Sequence, residues 1–507
     1  MTLRTRMLQR RFSPPSLSRG SMRLLARLLA CLATASLLCA QPAAAQSILR
    51  DAETEQLLQD MVDPLAEAAG LQKGAVDVVL IHDPSINAFV AGGQRIYVHS
   101  GLINAADTAN EVQGVLAHEL GHITGGHVIT VYDGLEKATK ISLLSLLVGV
   151  AAAVAGAGDA AMGAMALGQQ AALGTFLAFS RGQEASADAA AVQSLKCAGI
   201  GGQGAVAFFR KLQNLEFRYG YSQSDDAGFA RTHPLTGDRI SRLEAELRAD
   251  PAWRGDGPEA DLTADFQAPP AEDEWHPPAN RGAGCAAAPM PTADLERRFE
   301  RVKAKLYGYL AKPDDTLRIY PDYVSTVPAH YARAYAYHKD ARIEQALDEA
   351  DALLAMDPDD PYFLELKGQV LLESGRVDEA LEPLRTATRL TANDPLISGT
   401  FGHALVATED PRHLDEAEQV LRAAVAKDRE NPFAWYQLGM VYGAKGDIPR
   451  ARLASSEQQI MTGAAAEALR NAEAARAALP EGSADWIRAQ DVAMQARAQI
   501  EREKDRR

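Results

Sequence analysis

The strongest constraint on the fold is a repeat. Asp360-Pro361 recurs as Asp394-Pro395, 34 residues on, and Gly368 recurs at Gly402 with the same offset. Asn431-Pro432 and Gly439 follow after 37 residues, the excess falling at Asp410-Pro411-Arg412-His413. Ala346, Ala380 and Ala417 mark a small-residue position in each second helix. A unit of this length is one helix pair, which can bury its apolar face only against its neighbours. The period predicts an α-solenoid with three repeats between about residues 329 and 462. A helix at 294–311 precedes them, and Ala-rich helices up to residue 507 form a cap. Such a stack offers a concave surface to peptide or protein partners.

Chemistry enters upstream, at His118-Glu119-Leu120-Gly121-His122. The stretch is predicted to be helical. Thr108 and Glu111 form a capping box, and Val112, Val115 and Leu116 supply an apolar stripe. Two His at i and i+4 share one helix face, so both imidazoles can reach one Zn²⁺. Glu119 emerges beside that ion, placed to act as general base on an attacking water. A catalytic zinc site needs a third protein ligand and an open position. A His six residues after His122 would supply it in one known spacing, but position 128 is Val. His127 is one residue short and on another face; it is expected at the surface or behind a ligand. Glu184 is the better candidate. It shares a helix face with Asp188, so one carboxylate can bind the metal while the other accepts an N–H from a ligand His. Alternatively, the two are an exposed acidic pair on a solvated helix.

The order His118-Glu119-Leu120-Gly121-His122, then Ser180-Arg181-Gly182-Gln183-Glu184-Ala185-Ser186-Ala187-Asp188, resembles the metallopeptidases related to the CAAX prenyl endopeptidase and the heat-shock membrane protease. The 34-residue period resembles the tetratricopeptide repeat. Together they imply an α+β, mostly helical protein. A gluzincin-like zinc peptidase domain with a small sheet would be followed by an α-solenoid of tetratricopeptide repeats. The expected ligands are His118, His122 and Glu184 around one Zn²⁺, with Asp188 behind a ligand and Glu119 catalytic. Thr232-His233-Pro234 with Arg239 resembles the family's T-H-P-x-x-x-x-R element. By that resemblance His233 is a possible reversible fourth ligand that holds the enzyme latent; otherwise it merely opens a helix. Asn87-Ala88-Phe89 resembles the family's substrate-pairing edge strand, the alternative being plain sheet core.

The resemblance also implies a role. The enzyme would hydrolyse peptide bonds of misfolded or stalled outer-membrane proteins in the periplasm. Its repeats would bind protein partners, among them the outer-membrane protein assembly machinery. The alternative is a non-proteolytic chaperone or scaffold that acts through the repeats.

The remaining segments fit this plan. Residues 1–45 have the form of a secretory signal: seven Arg and no acid, an apolar run from Leu28 to Leu38, and Ala43-Ala44-Ala45 before Gln46. Leu38 precedes Cys39 where lipoprotein processing wants a small residue, so no lipid anchor is expected. The whole chain carries −15, and without the seven Arg of that signal −22. Such acidity argues against nucleic acid as a partner. Residues 48–73 suggest one helix, with Leu49, Leu57, Leu58, Met61 and Leu65 on its apolar side. Short strands follow at 76–81, 87–90 and 95–99. Ile141 to Ala157 is almost wholly apolar, and Gly and Ala dominate up to Gly174. Seventeen apolar residues is the lower edge of a membrane span. The expectation is a buried or membrane-touching hairpin over the cleft, with peripheral membrane contact through 141–174. The domains are expected at 46–250 (peptidase), 251–292 (Pro/Ala-rich linker) and 293–507 (solenoid and cap). Cys197 and Cys285 could pair if the compartment is oxidising.

Overall fold

Asp51 starts the first helix by accepting a hydrogen bond from the Thr54 amide, 2.9 Å away. That cap fixes α1 at Ala52–Ala68. It also corrects the expectation of one helix over 48–73, because Ser47–Leu49 instead forms a strand, β1. The computed structural model describes residues 47–154, 158–219, 233, 236–254 and 292–505. The expected signal at 1–45, most of the linker and Cys285 lie outside the described residues. Cys197 takes part in a disulfide.

Three further strands follow: β2 (Asp77–His82), β3 (Ala88–Ala91) and β4 (Arg95–His99). Their order in the sheet is β1-β2-β4-β3. β2 pairs in parallel with β4, Val78 facing Ile96, and β3 pairs antiparallel with β4, Phe89 facing Tyr97. In β4, Ile96 and Val98 are buried while Arg95 and Tyr97 stay half-exposed, the period-2 pattern of a one-sided sheet. A short α2 (Ser100–Ala105) leads to α3 (Ala109–Thr124). Thr108 caps α3 on the Glu111 amide, while Glu111 itself accepts from the Asp107 amide at 2.8 Å.

Beyond α3 come α4 (His127–Val154), α5 (Gly158–Ala198), α6 (Gln203–Tyr219) and α7 (Gly237–Arg248). Gly199 ends α5 at φ +68, a conformation that costs glycine nothing. Asn110 ties α3 to α6, accepting from the Gly204 amide at 2.7 Å and donating to the Gly201 carbonyl at 2.8 Å. One core runs from α1 and the sheet through α3, the end of α5, α6 and α7. The next helix, α8 (Thr292–Leu310), adds Leu295, Phe299, Val302 and Leu306 to that same core.

The apolar stretch differs from expectation. α4 and α5 pack against each other as a pair, and Gly168 allows close approach to Ser145. The outer surfaces remain exposed: Leu143, Leu144, Leu147, Met162, Leu167 and Leu173 all face outward. Among the described residues no other core element covers the pair, so of the two expected placements, buried or membrane-touching, the buried one is not seen. Among the described residues no helix is long and apolar enough to cross a membrane.

After α9 (Pro313–Ile319) the chain winds into helix pairs: α10 and α11 (Val327–Lys339, Ile343–Met356), α12 and α13 (Pro361–Glu373, Val377–Leu390), α14 and α15 (Pro395–Ala407, Leu414–Lys427), α16 and α17 (Pro432–Ala444, Ile448–Met461). A further pair, α18 (Ala465–Ala478) and α19 (Ala484–Asp505), closes the stack. Asp360 and Asp394 each cap the first helix of a pair, accepting from the two amides that follow the proline. Gly368 and Gly402 lie against Leu384 and Leu421 of the second helix, with no room for a Cβ. Between 327 and 461 there are four pairs rather than the three the repeat suggested. The first pair carries only one mark of the repeat, Ala346 in its second helix, because Ala334 stands where Gly368 does one period later and no Asp-Pro opens it.

From Ile48 onward the chain is one compact unit. Its sheet end and its solenoid meet across a charged seam. Lys305 of α8 reaches Asp51 at 2.5 Å and Glu53 at 3.2 Å, and Tyr331 of α10 donates to Glu53 at 2.7 Å. Arg301 pairs with Glu53 and with Asp360, the latter at 2.6 Å.

Candidate metal centre

Two helices, α3 and α5, and a residue between α6 and α7 deliver the site. On α3, His118, Glu119 and His122 are buried. α5 lies against α3 where Gly121 meets Ala187: a Cβ on Gly121 would come within 2.5 Å of the Ala187 carbonyl oxygen. That closeness brings Glu184, three residues before Ala187, to the histidines. His233 enters from beyond α6 and is also buried.

Four groups converge: His118, His122, Glu184 and His233 offer ligand atoms that all lie within 4.8 Å of one another. His118 Nε2 is 3.2 Å from His122 Nε2, 3.4 Å from Glu184 Oε2 and 3.3 Å from His233 Nδ1. Glu184 Oε1 is 3.5 Å from His122 Nε2 and 3.1 Å from His233 Nδ1. Donors bonded at ~2.0–2.1 Å to one tetrahedral centre would stand roughly 3.3–3.4 Å apart. The cluster has those edge lengths. It also presents ring nitrogens and a carboxylate to one another, an arrangement that needs protons or a metal ion among its lone pairs. The donor set therefore fits a metal ion.

The surroundings set each ligand's charge. Asp188 Oδ1 lies 2.9 Å from His118 Nδ1. Burial disfavours charge on His118, but Asp188 and Glu184 outweigh it and push the ring up to about 9, so a proton competes with metal for this place. Burial, and then the neighbouring His118 and His233, push His122 down to about 2 and keep it neutral, as a ligand must be. Burial works against ionised Glu184, yet its bonds to His118 and His233 hold it well below the usual carboxylate range. Asp188 likewise falls to about 2 against its burial, through His118 and Arg239. Arg239 of α7 grips both acids. Its Nε and Nη2 each donate to Asp188 at 2.8 Å, and its Nη1 lies 3.0 Å from Glu184.

Glu119 is different. Both its carboxylate oxygens are buried and accept no hydrogen bond from the described residues. Burial pushes its pKa up, and His233 and His118 partly oppose that rise. His233 Nε2 stands 3.5 Å from its Oε1. The expected edge strand is β3, the last strand of the sheet beside α3. Ala88 and Phe89 lie in it, and Asn87 precedes it, accepting from the His99 amide at 3.0 Å. Phe89 stacks on Tyr97 at 5.2 Å.

One feature was not anticipated from sequence. The grip of Arg239 on Glu184 and Asp188 was hidden, although its fixed offset from His233 was a signal. His127, expected at the surface or behind a ligand, places Nδ1 2.9 Å from His122 Nδ1.

The family model for peptidase family M48 matches residues 52–247, and a tetratricopeptide repeat model matches residues 331–395. The chain is 21% identical over 459 residues to the beta-barrel assembly-enhancing protease of Yersinia pestis, covering 88% of this chain and 84% of that protein. It is 22% identical over 444 residues to the protein of the same name from Escherichia coli K12, covering 87% and 82%. Metalloprotease LoiP of Escherichia coli K12 is 34% identical over 168 residues, which is 32% of this chain and 60% of LoiP. The chain thus carries a metallopeptidase domain of peptidase family M48 followed by tetratricopeptide repeats.

Proposed function

We propose that this protein is a zinc endopeptidase of the periplasm that cuts misfolded or stalled outer-membrane proteins. The name shared by its long relatives, beta-barrel assembly-enhancing protease, supports that substrate class. His118, His122 and Glu184 would hold one Zn²⁺, leaving a fourth position for water or substrate. When bound, zinc acts as a Lewis acid that makes water acidic enough to attack near neutral pH. Glu119 takes the proton of that water and passes it to the leaving amine. Asp188 orients His118, and Arg239 orients Asp188. Backbone groups of Asn87, Ala88 and Phe89 at the free edge of the sheet pair with an extended substrate.

One observation carries this reading: a buried carboxylate, Glu119, that accepts no hydrogen bond from the described residues, beside a metal-ready cluster. A structural ion has no use for such a group, and burying it is costly. We take 46–250 as the peptidase domain, 251–292 as linker and 293–507 as the solenoid, with 1–45 as the export signal. The repeats bind protein, including the outer-membrane assembly machinery. An exposed stripe on α16, Phe433, Tyr436 and Met440, suits such contacts.

The deciding experiment measures zinc content and casein cleavage by the purified protein and by Glu119→Gln. The expectation is about one zinc in each, with cleavage only by the wild type. A Glu119→Gln protein that cleaves casein as well as wild type would sink the mechanism. Equal rescue of a deletion strain by both proteins would move the function to the repeats.

The reading includes membrane contact through 141–174. From 141 to 180 the only charged residue is Asp159, and exposed Leu143, Leu144, Leu146 and Leu147 surround α4 on several sides. A lipid phase solvates a rod all round, whereas a protein partner covers one face. Flotation with phospholipid vesicles is expected for wild type and lost in Leu144→Glu/Leu147→Glu; no flotation of wild type removes this part.

A further inference from the structure

We infer that His127, together with Ser186, is a positioning device that locks His122 in the single tautomer able to bind a metal. The inference rests on the reading of the cluster as a zinc site.

His122 turns Nε2 toward the cluster, 3.2 Å from His118 Nε2 and 3.5 Å from Glu184 Oε1. Its Nδ1 points the other way and lies 2.9 Å from His127 Nδ1. Two imidazole nitrogens at that distance share one proton. His122 Nε2 can offer a lone pair only if that proton sits on its own Nδ1. His127 Nδ1 must then be the acceptor, and the neutral His127 ring carries its proton on Nε2.

The next contact accepts that proton. His127 Nε2 is 2.8 Å from Ser186 Oγ. The Ser186 hydroxyl in turn lies 3.0 Å from the Gln183 backbone carbonyl and donates to it. A carbonyl has no proton to give, so it sets the direction of the whole chain. Donation runs His122 to His127 to Ser186 to Gln183. Reversing it would strip Ser186 of its bond to Gln183 and aim a proton from His122 Nε2 into the metal position.

The backbone is built for this contact. A residue five positions after His122 on a continuous helix faces another side. Here α3 ends, Gly126 adopts φ +63, and α4 restarts at His127. Gly125 completes the turn: any Cβ there would run into the His127 ring, 2.5 Å from Nε2. On the α5 side, Gln183 donates to Thr130 at 3.0 Å and fixes the start of α4. His118 and His122 are therefore backed differently. An anion, Asp188, stands behind the first, and a neutral relay stands behind the second.

The test compares the full-length protein with His127→Phe, His127→Asn and Ser186→Ala. Zinc affinity is read by chelator competition, and ligand geometry by the visible spectrum of the cobalt form. His127→Phe should weaken zinc binding about 10- to 100-fold and change the cobalt spectrum, with the melting point of the metal-free protein unchanged. His127→Asn keeps an acceptor near the Nδ1 position and should recover most of the affinity. Ser186→Ala should fall between. Should His127→Phe not fold, nitrogen NMR of the histidine rings in metal-free wild type decides. A proton on His127 Nε2 is expected, and a proton on His127 Nδ1 overturns the proposal. Equal zinc affinity of His127→Phe and wild type overturns the relay alone. Failure of wild type to bind zinc overturns the metal reading and the relay with it.

Discussion

His233 fills the corner of the cluster that a working peptidase needs open. Its Nδ1 lies 3.1 Å from Glu184 and 3.3 Å from His118, while its Nε2 faces Glu119. One ring thus stands at the fourth corner of the proposed zinc site and also beside Glu119, the proposed base. Such an arrangement suits a resting state that substrate must displace. An occupant favoured by ~1.4 kcal/mol keeps roughly nine-tenths of the molecules closed. Removing it in His233→Ala should therefore raise casein turnover about tenfold, with zinc content unchanged. A fall in turnover in His233→Ala, with zinc retained, would instead give His233 a part in the reaction itself.

At the scale of elements, the site exists because α3 and α5 touch. Gly121 makes that possible, since a Cβ there would lie 2.5 Å from the Ala187 carbonyl and 2.8 Å from its Cα. Both are backbone atoms and cannot rotate away. Gly121→Ala should force the helices apart, cost about 1–3 kcal/mol in unfolding free energy and weaken zinc binding. An unshifted chemical melt for Gly121→Ala would mean that the helices separate freely. The same elements show what sequence can and cannot reveal. Thr108 was legible as a helix start because capping is local chemistry. His118, His122, Glu184 and Asp188 were legible because helical spacing places them on shared faces. The Arg239 grip on Asp188 was not, because it joins residues 51 apart and depends on how α7 docks. The first helix pair showed itself only through Ala346, because alanine stands at 334 where the later repeats have glycine and no Asp-Pro opens the pair. The apolar hairpin left two placements open, buried or membrane-touching, because apolar composition alone does not say what covers it.

At the scale of the whole molecule, peptidase core and solenoid are joined by buried charge. Glu365 of α12 is partly buried, and its Oε2 is out of solvent and accepts no hydrogen bond from the described residues. Burial raises its pKa to about 8; Lys305 opposes the rise, and Asp51, Asp394 and Glu53 add to it. The folded state thus holds this proton more tightly than the unfolded chain, whose ordinary value is 4.5. The resulting stability is full below the ordinary value and is lost as pH rises toward about 8. Glu365→Gln should remove that loss, so its unfolding free energy should fall less than that of wild type over this range. Parallel pH profiles would contradict it. Lys305 is the other half of the seam. Its ammonium is buried, 2.5 Å from Asp51 and 3.2 Å from Glu53, and over the Tyr331 ring at 5.4 Å. Taking away one partner of a buried pair leaves an uncompensated charge, which costs about 3–5 kcal/mol. Lys305→Met should show that loss in urea unfolding. Adding Asp51→Asn should return part of it, because asparagine still caps α1 and carries no charge to strand. Recovery in the double variant would show that the cost lies in the orphaned carboxylate. A Lys305→Met protein as stable as wild type would show that apolar packing of α8, through Leu295, Phe299, Val302 and Leu306, suffices to hold the two halves together.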